Sequence, residues 1–337
     1  MHFLIKLHIL ILMYFNNKNN FFHGIMFHHF HDDNVHSRGQ GSITRDQLNK
    51  IIKFIGRNNI INANEFYEKL KKKKLKSNDV CFTFDDAIKS QIDVALPVLE
   101  DFKIKSFFFV YTSIYENKPD QLEIFRYFRM NYFNKINEFY EEFYKTLNIN
   151  LENFFRENNE ILVNKKLKYP NYSEEDLKFQ LVRDLYLKKK DYEKIIFNMI
   201  NERNLKPQEW YKKLFFNEDD LIKLEKLEHV IGLHSHSHPF LLQNMKTEEQ
   251  QEEYTKCANI LSKILNKNFK DFKCMSHPCG SYNSETLEIL KSLGIELGFK
   301  EVMDIEKERG MKKINNSNLE IARQDHAIII RKIENEI

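Results

Sequence analysis

Short runs of consecutive apolar residues alternate with stretches in which apolar positions recur every three or four residues. Ile25-Met26-Phe27-His28 reads as a first strand, followed by a polar, glycine-containing loop through Gly41. Thr44 and Gln47 have capping-box spacing, and Leu48, Ile51, Ile52 and Ile55 mark one helical face that Gly56 ends. Val80-Cys81-Phe82-Thr83-Phe84 is almost wholly apolar, as in a parallel strand covered on both faces. Ile92, Ala95, Leu96 and Leu99 predict a helix despite Pro97, and Ser106 to Val110 a further strand. After a different central region the alternation resumes with His229-Val230-Ile231-Gly232-Leu233, then a helix carrying Tyr254, Cys257, Leu261 and Ile264. Cys274-Met275-Ser276 predicts a strand end, Thr286 to Leu293 a helix stopped by Gly294, and Leu319 to Ile330 one or two last strands. Strand and helix in turn predict an α/β fold with a parallel sheet or barrel.

Between about 115 and 225 the pattern changes to segments dense in Phe, Tyr, Lys, Glu and Asn. Phe133, Ile136, Phe139, Tyr140 and Phe143 recur at helical spacing, and such an aromatic stripe is read as core packing rather than a ligand box. The expected organisation is therefore an α/β body over 25–114 and 226–337, a helical insertion or subdomain over 115–225, and an N-terminal extension over 1–24.

Composition narrows the function classes. The 337 residues are 42% hydrophobic and 30% charged, ordinary for a globular chain. A net charge of +3 gives no general affinity for polyanions, and nucleic acid is not an expected partner. Lys71 to Lys74 lack interleaved aromatics and read as a solvated helix end. Cys81, Cys257, Cys274 and Cys279 are too irregularly spaced for a disulfide framework or a structural zinc site, which favours a reducing compartment. Met1 to Phe15 is apolar, but Lys6 and His8 interrupt it and no small-residue cleavage site follows; Met13 and Met26 are alternative starts. No later stretch reaches the roughly 18 apolar residues of a membrane span. A soluble, cytoplasmic protein is expected, with peripheral membrane association open.

Three separated segments carry the chemistry. Thr83-Phe84-Asp85-Asp86 places two carboxylates where a strand gives way to a loop, while His234-Ser235-His236-Ser237-His238-Pro239 offers three imidazoles. On a helical turn His234 and His238 share a face that His236 leaves; on an extended strand all three line one face. One carboxylate and two imidazoles hold a divalent ion with a position open for water, and a second carboxylate beside that water is a candidate general base. The third segment is His277-Pro278-Cys279-Gly280-Ser281-Tyr282-Asn283.

In this order the segments resemble the motifs of the polysaccharide deacetylases of the NodB-homology type. Thr83-Phe84-Asp85-Asp86-Ala87 resembles TFDDG with alanine for glycine; Ile231 to Pro239 resembles the second motif; Pro278-Cys279-Gly280-Ser281-Tyr282-Asn283 resembles PYGxxN. Ile25-Met26-Phe27-His28 resembles the opening MYH strand. The resemblance implies a distorted (β/α) barrel with a helical insertion and its site at the C-terminal strand ends. By position it implies Asp86, His234 and His238 as ligands of one divalent metal ion, zinc by default, with His236 not a ligand. It implies Asp85 as the base that activates water, and the Cys279 N–H as an oxyanion donor. The arginine that often precedes the third motif is replaced by Ser276; Arg323, Arg126 and Arg129 are candidates for its role. His326 is the candidate acid for the leaving amine, with His28 in reserve. His28, Pro278 and Tyr282 are candidate substrate contacts. The implied function is removal of an N-acyl group, most simply acetyl, from an amino sugar or glycan precursor in surface-polysaccharide metabolism. The alternatives are an O-acetyl or N-formyl sugar hydrolase, or a degenerate glycan-binding member. Oligomeric state is left open.

Overall fold

The computed structural model describes residues 21–32, 34–39, 41–168, 172–301, 303 and 314–335. The reading of Met1 to Phe15 lies outside them. Seven strands form one sheet: β1 (His23–Phe27), β2 (Val80–Phe84), β3 (Phe107–Val110), β4 (Val230–Leu233), β5 (Cys274–Ser276), β6 (Leu297–Phe299) and β7 (Arg323–Asp325). Every pairing is parallel, in the order β6-β5-β4-β3-β2-β1-β7. The two edges nearly meet. Phe299 bridges Ile321 just before β7, the Lys300 N–H donates to Ile321 O at 2.8 Å, and the Ile321 N–H donates to Gly298 O at 2.9 Å. Gly298 makes this approach feasible, since a Cβ there would lie 2.6 Å from the Leu319 carbonyl oxygen. The result is the expected (β/α) barrel, nearly closed.

Period-two alternation divides the strand residues between two cores. Cys81, Phe107, Phe109, Cys274, Leu297 and Phe299 pack with Ala63, Phe66 and Leu70 of the helix Ala63–Lys71. Val80, Phe82, Phe84, Phe108, Val110 and Met275 face the other way, into the layer of surrounding helices. Both cores are fully buried, and each Phe so enclosed contributes about 1.5–3 kcal/mol. Carrying the first row onward gives Thr83 and Asp85 after Cys81, Ser276 after Cys274, and His234 after Gly232. The polar residues of interest therefore extend the row of the smaller core at the C-terminal strand ends.

The helices follow their sequence signals. Thr44 and Gln47 make both bonds of the capping box on Arg45–Ile55, and Gly56 ends that helix at φ +84°. A π-turn at Gln91–Ala95 leads into the helix Leu96–Asp101, which places Pro97 in the first turn, where no intrahelical N–H is needed. Lys71 closes its helix, and Lys72, Lys73 and Lys74 are exposed beyond it. Phe139, Tyr140 and Phe143 are buried against Phe179 and Tyr192, so the aromatic stripe is core.

Three boundaries differ from expectation. β1 begins at His23, inside the expected extension, because its backbone pairs from there with β2. The helix Glu218–Lys226 packs on β4 and on the helix Thr247–Leu265, so the barrel layer resumes by Glu218 rather than at 226. The tail holds a single strand followed by the helix His326–Asn335. No helix among the described residues is long and apolar enough to cross a membrane.

His229 ties β4 to β3, its Nδ1 accepting the Ser106 N–H at 3.0 Å. Burial, and then the charge of Lys105, push its imidazole down to about 4. Because the unfolded chain binds that proton near pH 6.5, the neutral ring's contribution is complete above that value and is lost as pH falls toward 4. Chemical denaturation across this range is expected to show an acid-side loss that His229→Asn, which keeps an acceptor for Ser106, reduces by on the order of 3 kcal/mol.

Candidate metal centre

Asp86, His234 and His238 converge at the C-terminal end of the barrel. Oδ1 of Asp86 lies 3.1 Å from His234 Nε2 and 3.3 Å from His238 Nε2, and the three ligand atoms lie within 4.8 Å of one another. That Oδ1 is buried and accepts no hydrogen bond among the described residues. A buried carboxylate oxygen with no donor is costly unless a cation or proton faces it. One carboxylate and two imidazoles at this separation fit a divalent ion with three protein ligands and an open position.

Backbone geometry aims these groups. After Phe84 the chain enters the left-handed region at Asp86 (φ +72°) and Ala87 (φ +52°). This turn frees the adjacent carboxylates from opposite faces of a strand. Alanine tolerates it at a cost of roughly 1–2 kcal/mol, which explains the preference for glycine there. Ser235 (φ +63°) and His238 (φ +55°) make a second such turn after β4. His236 is thereby directed away, its Nδ1 2.9 Å from Thr112 Oγ1 and its Nε2 3.4 Å from Glu116. The loop is neither of the two regular forms weighed from the spacing.

Each imidazole of the cluster is fixed through its other nitrogen. His234 Nδ1 is 2.9 Å from the Ser276 carbonyl oxygen, so Nδ1–H donates there and Nε2 presents its lone pair. His238 Nδ1 is 2.9 Å from Asp120 Oδ2. Sequence reading missed Asp120; its only local signal is the N-cap position before Gln121–Asn131, where Oδ1 accepts the Leu122 N–H.

Asp85 is held apart from this trio. Its oxygens receive a bidentate pair from Arg323 (Nη1 at 2.8 Å, Nη2 at 2.7 Å), and Ser276 Oγ donates at 3.2 Å. The Arg323 Nε–H donates to Lys300 O at 2.6 Å, and both partners of the pair are almost wholly buried. Burial alone would raise the Asp85 carboxyl, but the charge of Arg323, then of His234, outweighs it and holds Asp85 below the ordinary carboxylate range. Ser276, in the place of the absent arginine, thus contacts the same carboxylate. Arg129 lies elsewhere, against Asp176 and the Phe179 ring, and Arg126 interacts with Glu123 and Arg129.

His28 faces both acids, its Nε2 3.8 Å from Asp86 Oδ2 and 4.0 Å from Asp85 Oδ2, with the side chain 28% exposed. His326 does not join them. Its Nδ1 is 3.0 Å from Met26 O and its Nε2 2.9 Å from Gly41 O, the ring stacks on Phe27, and the residue is buried. Both nitrogens thus face carbonyl oxygens, only one of which a neutral ring can donate to, and neither faces the acids where a proton donor was expected. Cys279, at φ +51°, brings its Sγ to 3.9 Å from His238 Nε2. The N–H groups of Gly280 and Ser281 close turns onto His277 O and Pro278 O, while that of Cys279 has no acceptor among the described residues. Pro278 is buried, and Tyr282 stacks on His277 and donates to Glu320 at 3.2 Å.

A parallel barrel with a carboxylate–diimidazole cluster at its C-terminal rim defines the class of protein. Residues 72–127 and 185–298, just over half of the chain, match the family described as polysaccharide deacetylase. The chain belongs to the polysaccharide deacetylase family. Arg323 and His28 lie outside the matched residues, as does 128–184. Solved structures agree on the fold. The deacetylase PplD of Streptococcus pyogenes, solved with acetate, has a TM-score of 0.52 at 14% identity, covering 92% of this chain and 96% of that one. A de-N-acetylase from Aggregatibacter actinomycetemcomitans gives 0.52 at 14% identity, with 94% and 99% covered. IcaB from Ammonifex degensii gives 0.51 at 14% identity, with 93% and 96% covered. No curated protein matches the sequence.

Removing Arg323 leaves Asp85 as an unpaired buried charge, so Arg323→Met is expected to destabilise the metal-free protein by about 3–5 kcal/mol in denaturant unfolding. In the Asp85→Asn background the same change should cost much less. An equal cost in both backgrounds would show that the pair is not coupled.

Proposed function

We propose that the protein is a metal-dependent hydrolase that removes an N-acyl group, most simply acetyl, from an amino sugar or glycan precursor. The observation that carries this reading is the convergence of Asp86, His234 and His238 with a separately held Asp85 beside them. Family membership supports the carbohydrate substrate class, and surface polysaccharide is the substrate context we favour.

Asp86, His234 and His238 are the residues that would hold the ion, for which we propose zinc. When bound, such an ion supplies Lewis acidity and lowers the pKa of water. Asp85 stays ionised beside Arg323 and takes the proton of the attacking water. The Cys279 N–H donates to the oxyanion that develops on the acyl carbonyl, a role that survives the change of side chain because the donor is backbone. His28, at the mouth and within 4.0 Å of both acids, protonates the departing amine in place of His326. Tyr282 and Pro278 support the wall of the site. We further read the helices between 115 and 217 as an insertion on the barrel, consistent with the break in the family match.

Metal content of the purified protein tests the centre. Wild type and Asp85→Asn are expected to carry one ion per chain, and Asp86→Ala and His234→Ala to lose it. Acetate release from an N-acetylated amino-sugar oligomer should fall by about 10²–10⁴-fold in Asp85→Asn and by at least about 10²-fold in His28→Gln, with His326→Gln retaining most turnover. Release from the matched O-acetyl or N-formyl sugar instead would reassign the bond. An ion retained after loss of Asp86 or His234 would end the proposal.

A further inference from the structure

The two imidazoles beside Asp86 are supported differently. His234 donates to a main-chain carbonyl of β5, whereas His238 faces a carboxylate that belongs to another part of the chain, 118 residues away. We propose that Asp120 is a positioning residue that couples metal affinity to the helix Gln121–Asn131; this rests on the reading of Asp86, His234 and His238 as a metal site.

An imidazole presents the Nε2 lone pair only when its proton sits on Nδ1, and the nitrogen's partner decides this. Asp120 Oδ2, 2.9 Å from His238 Nδ1, is that partner. The carboxylate is itself fixed from several sides. Its Oδ1 caps the helix through the Leu122 N–H at 2.9 Å, and its own N–H donates to the Tyr111 hydroxyl at 3.2 Å. Tyr111 is 1% exposed and its ring centroid lies 5.4 Å from that of His238, so the same residue flanks the ligand and holds the cap. Farther along the helix, Phe125 is buried edge-on to Tyr192 and Phe197. A continuous set of contacts thus runs from the ligand ring into the helical segment.

Charge balance points the same way. The Asp85 and Arg323 charges offset one another, and Glu123, which accepts from His29 at 2.9 Å, faces the charge of Arg126. Asp86 and Asp120 then supply two negative charges to the His234–His238 cluster, matching a divalent cation. Because coupling is reciprocal, an ion that draws on the Asp120–His238 bond also steadies the start of the helix.

Two variants of the full chain separate positioning from capping. Asp120→Ser keeps an N-cap hydroxyl but ends one bond short of His238, whereas Asp120→Asn has a single acceptor oxygen which, turned to His238 Nδ1–H, keeps that hydrogen bond and gives up the charge and the cap. Zinc affinity, measured by competition with a chromophoric chelator, is expected to fall 10–100-fold in Asp120→Ser and by less in Asp120→Asn. Hydrogen exchange over 121–131 should slow on zinc addition in wild type and not in Asp120→Ser. Loss of affinity in Asp120→Ser alone would support positioning through the hydrogen bond. Affinities within twofold of wild type in both variants would overturn the inference while leaving the metal site standing. Wild type that binds no zinc would sink the metal reading, and this inference with it.

Discussion

The buried pair between Arg323 and Asp85 is the constraint on which the upper end of the barrel depends. Taking both charges out of water is expensive, and the pair repays it only through near-ideal geometry and further hydrogen bonds. Those bonds are present: Lys300 O, Thr83 Oγ1 and Ser276 Oγ complete the shell. β7 is thereby fixed across β1 from β2, at the place where the sheet nearly closes through Ile321 and Gly298. The carboxylate next to the candidate ligands is held in one orientation by a residue that also closes the fold.

Around that pair, polar groups divide the work by backbone conformation. Left-handed residues at Asp86, Ala87, Ser235, His238 and Cys279 turn each loop as it leaves the barrel. Such conformations cost on the order of 1–3 kcal/mol each and persist only when surrounding structure determines them, and they cluster where function is argued on independent grounds. Here they let Asp85 and Asp86 both face His28 and His234, and let His238 rejoin His234 while His236 departs.

Much of this was legible in the sequence. Apolar runs located β1 to β5, because a parallel strand covered on both faces leaves an unbroken signature, whereas the three-residue β6 was missed and β7 is polar; the capping box at Thr44 marked a helix start to the residue. The motif residues Asp86, His234 and His238 lie together, and Arg323 was among the candidates to face Asp85. Less legible were contacts made across the fold. Nothing local distinguishes Asp120 from any other N-cap, since its second oxygen meets a ring 118 residues away. His326 resembled a free proton donor because sequence cannot show that its two nitrogens face carbonyl oxygens. That Glu218–Lys226 packs on β4 was obscured because it has the same helical periodicity as the segment before it.

The position of Arg323 has a consequence for biosynthesis. A nascent chain acquires the Asp85 carboxylate 238 residues before its cationic counterpart. Until then the strands already made enclose a carboxylate with no counter-charge, which favours a loosely docked intermediate over a finished barrel. The carboxylate of Asp85 is therefore paired only once β7 has joined the sheet. A polypeptide ending before β7 would retain both histidines and both aspartates yet lack the cation that holds Asp85.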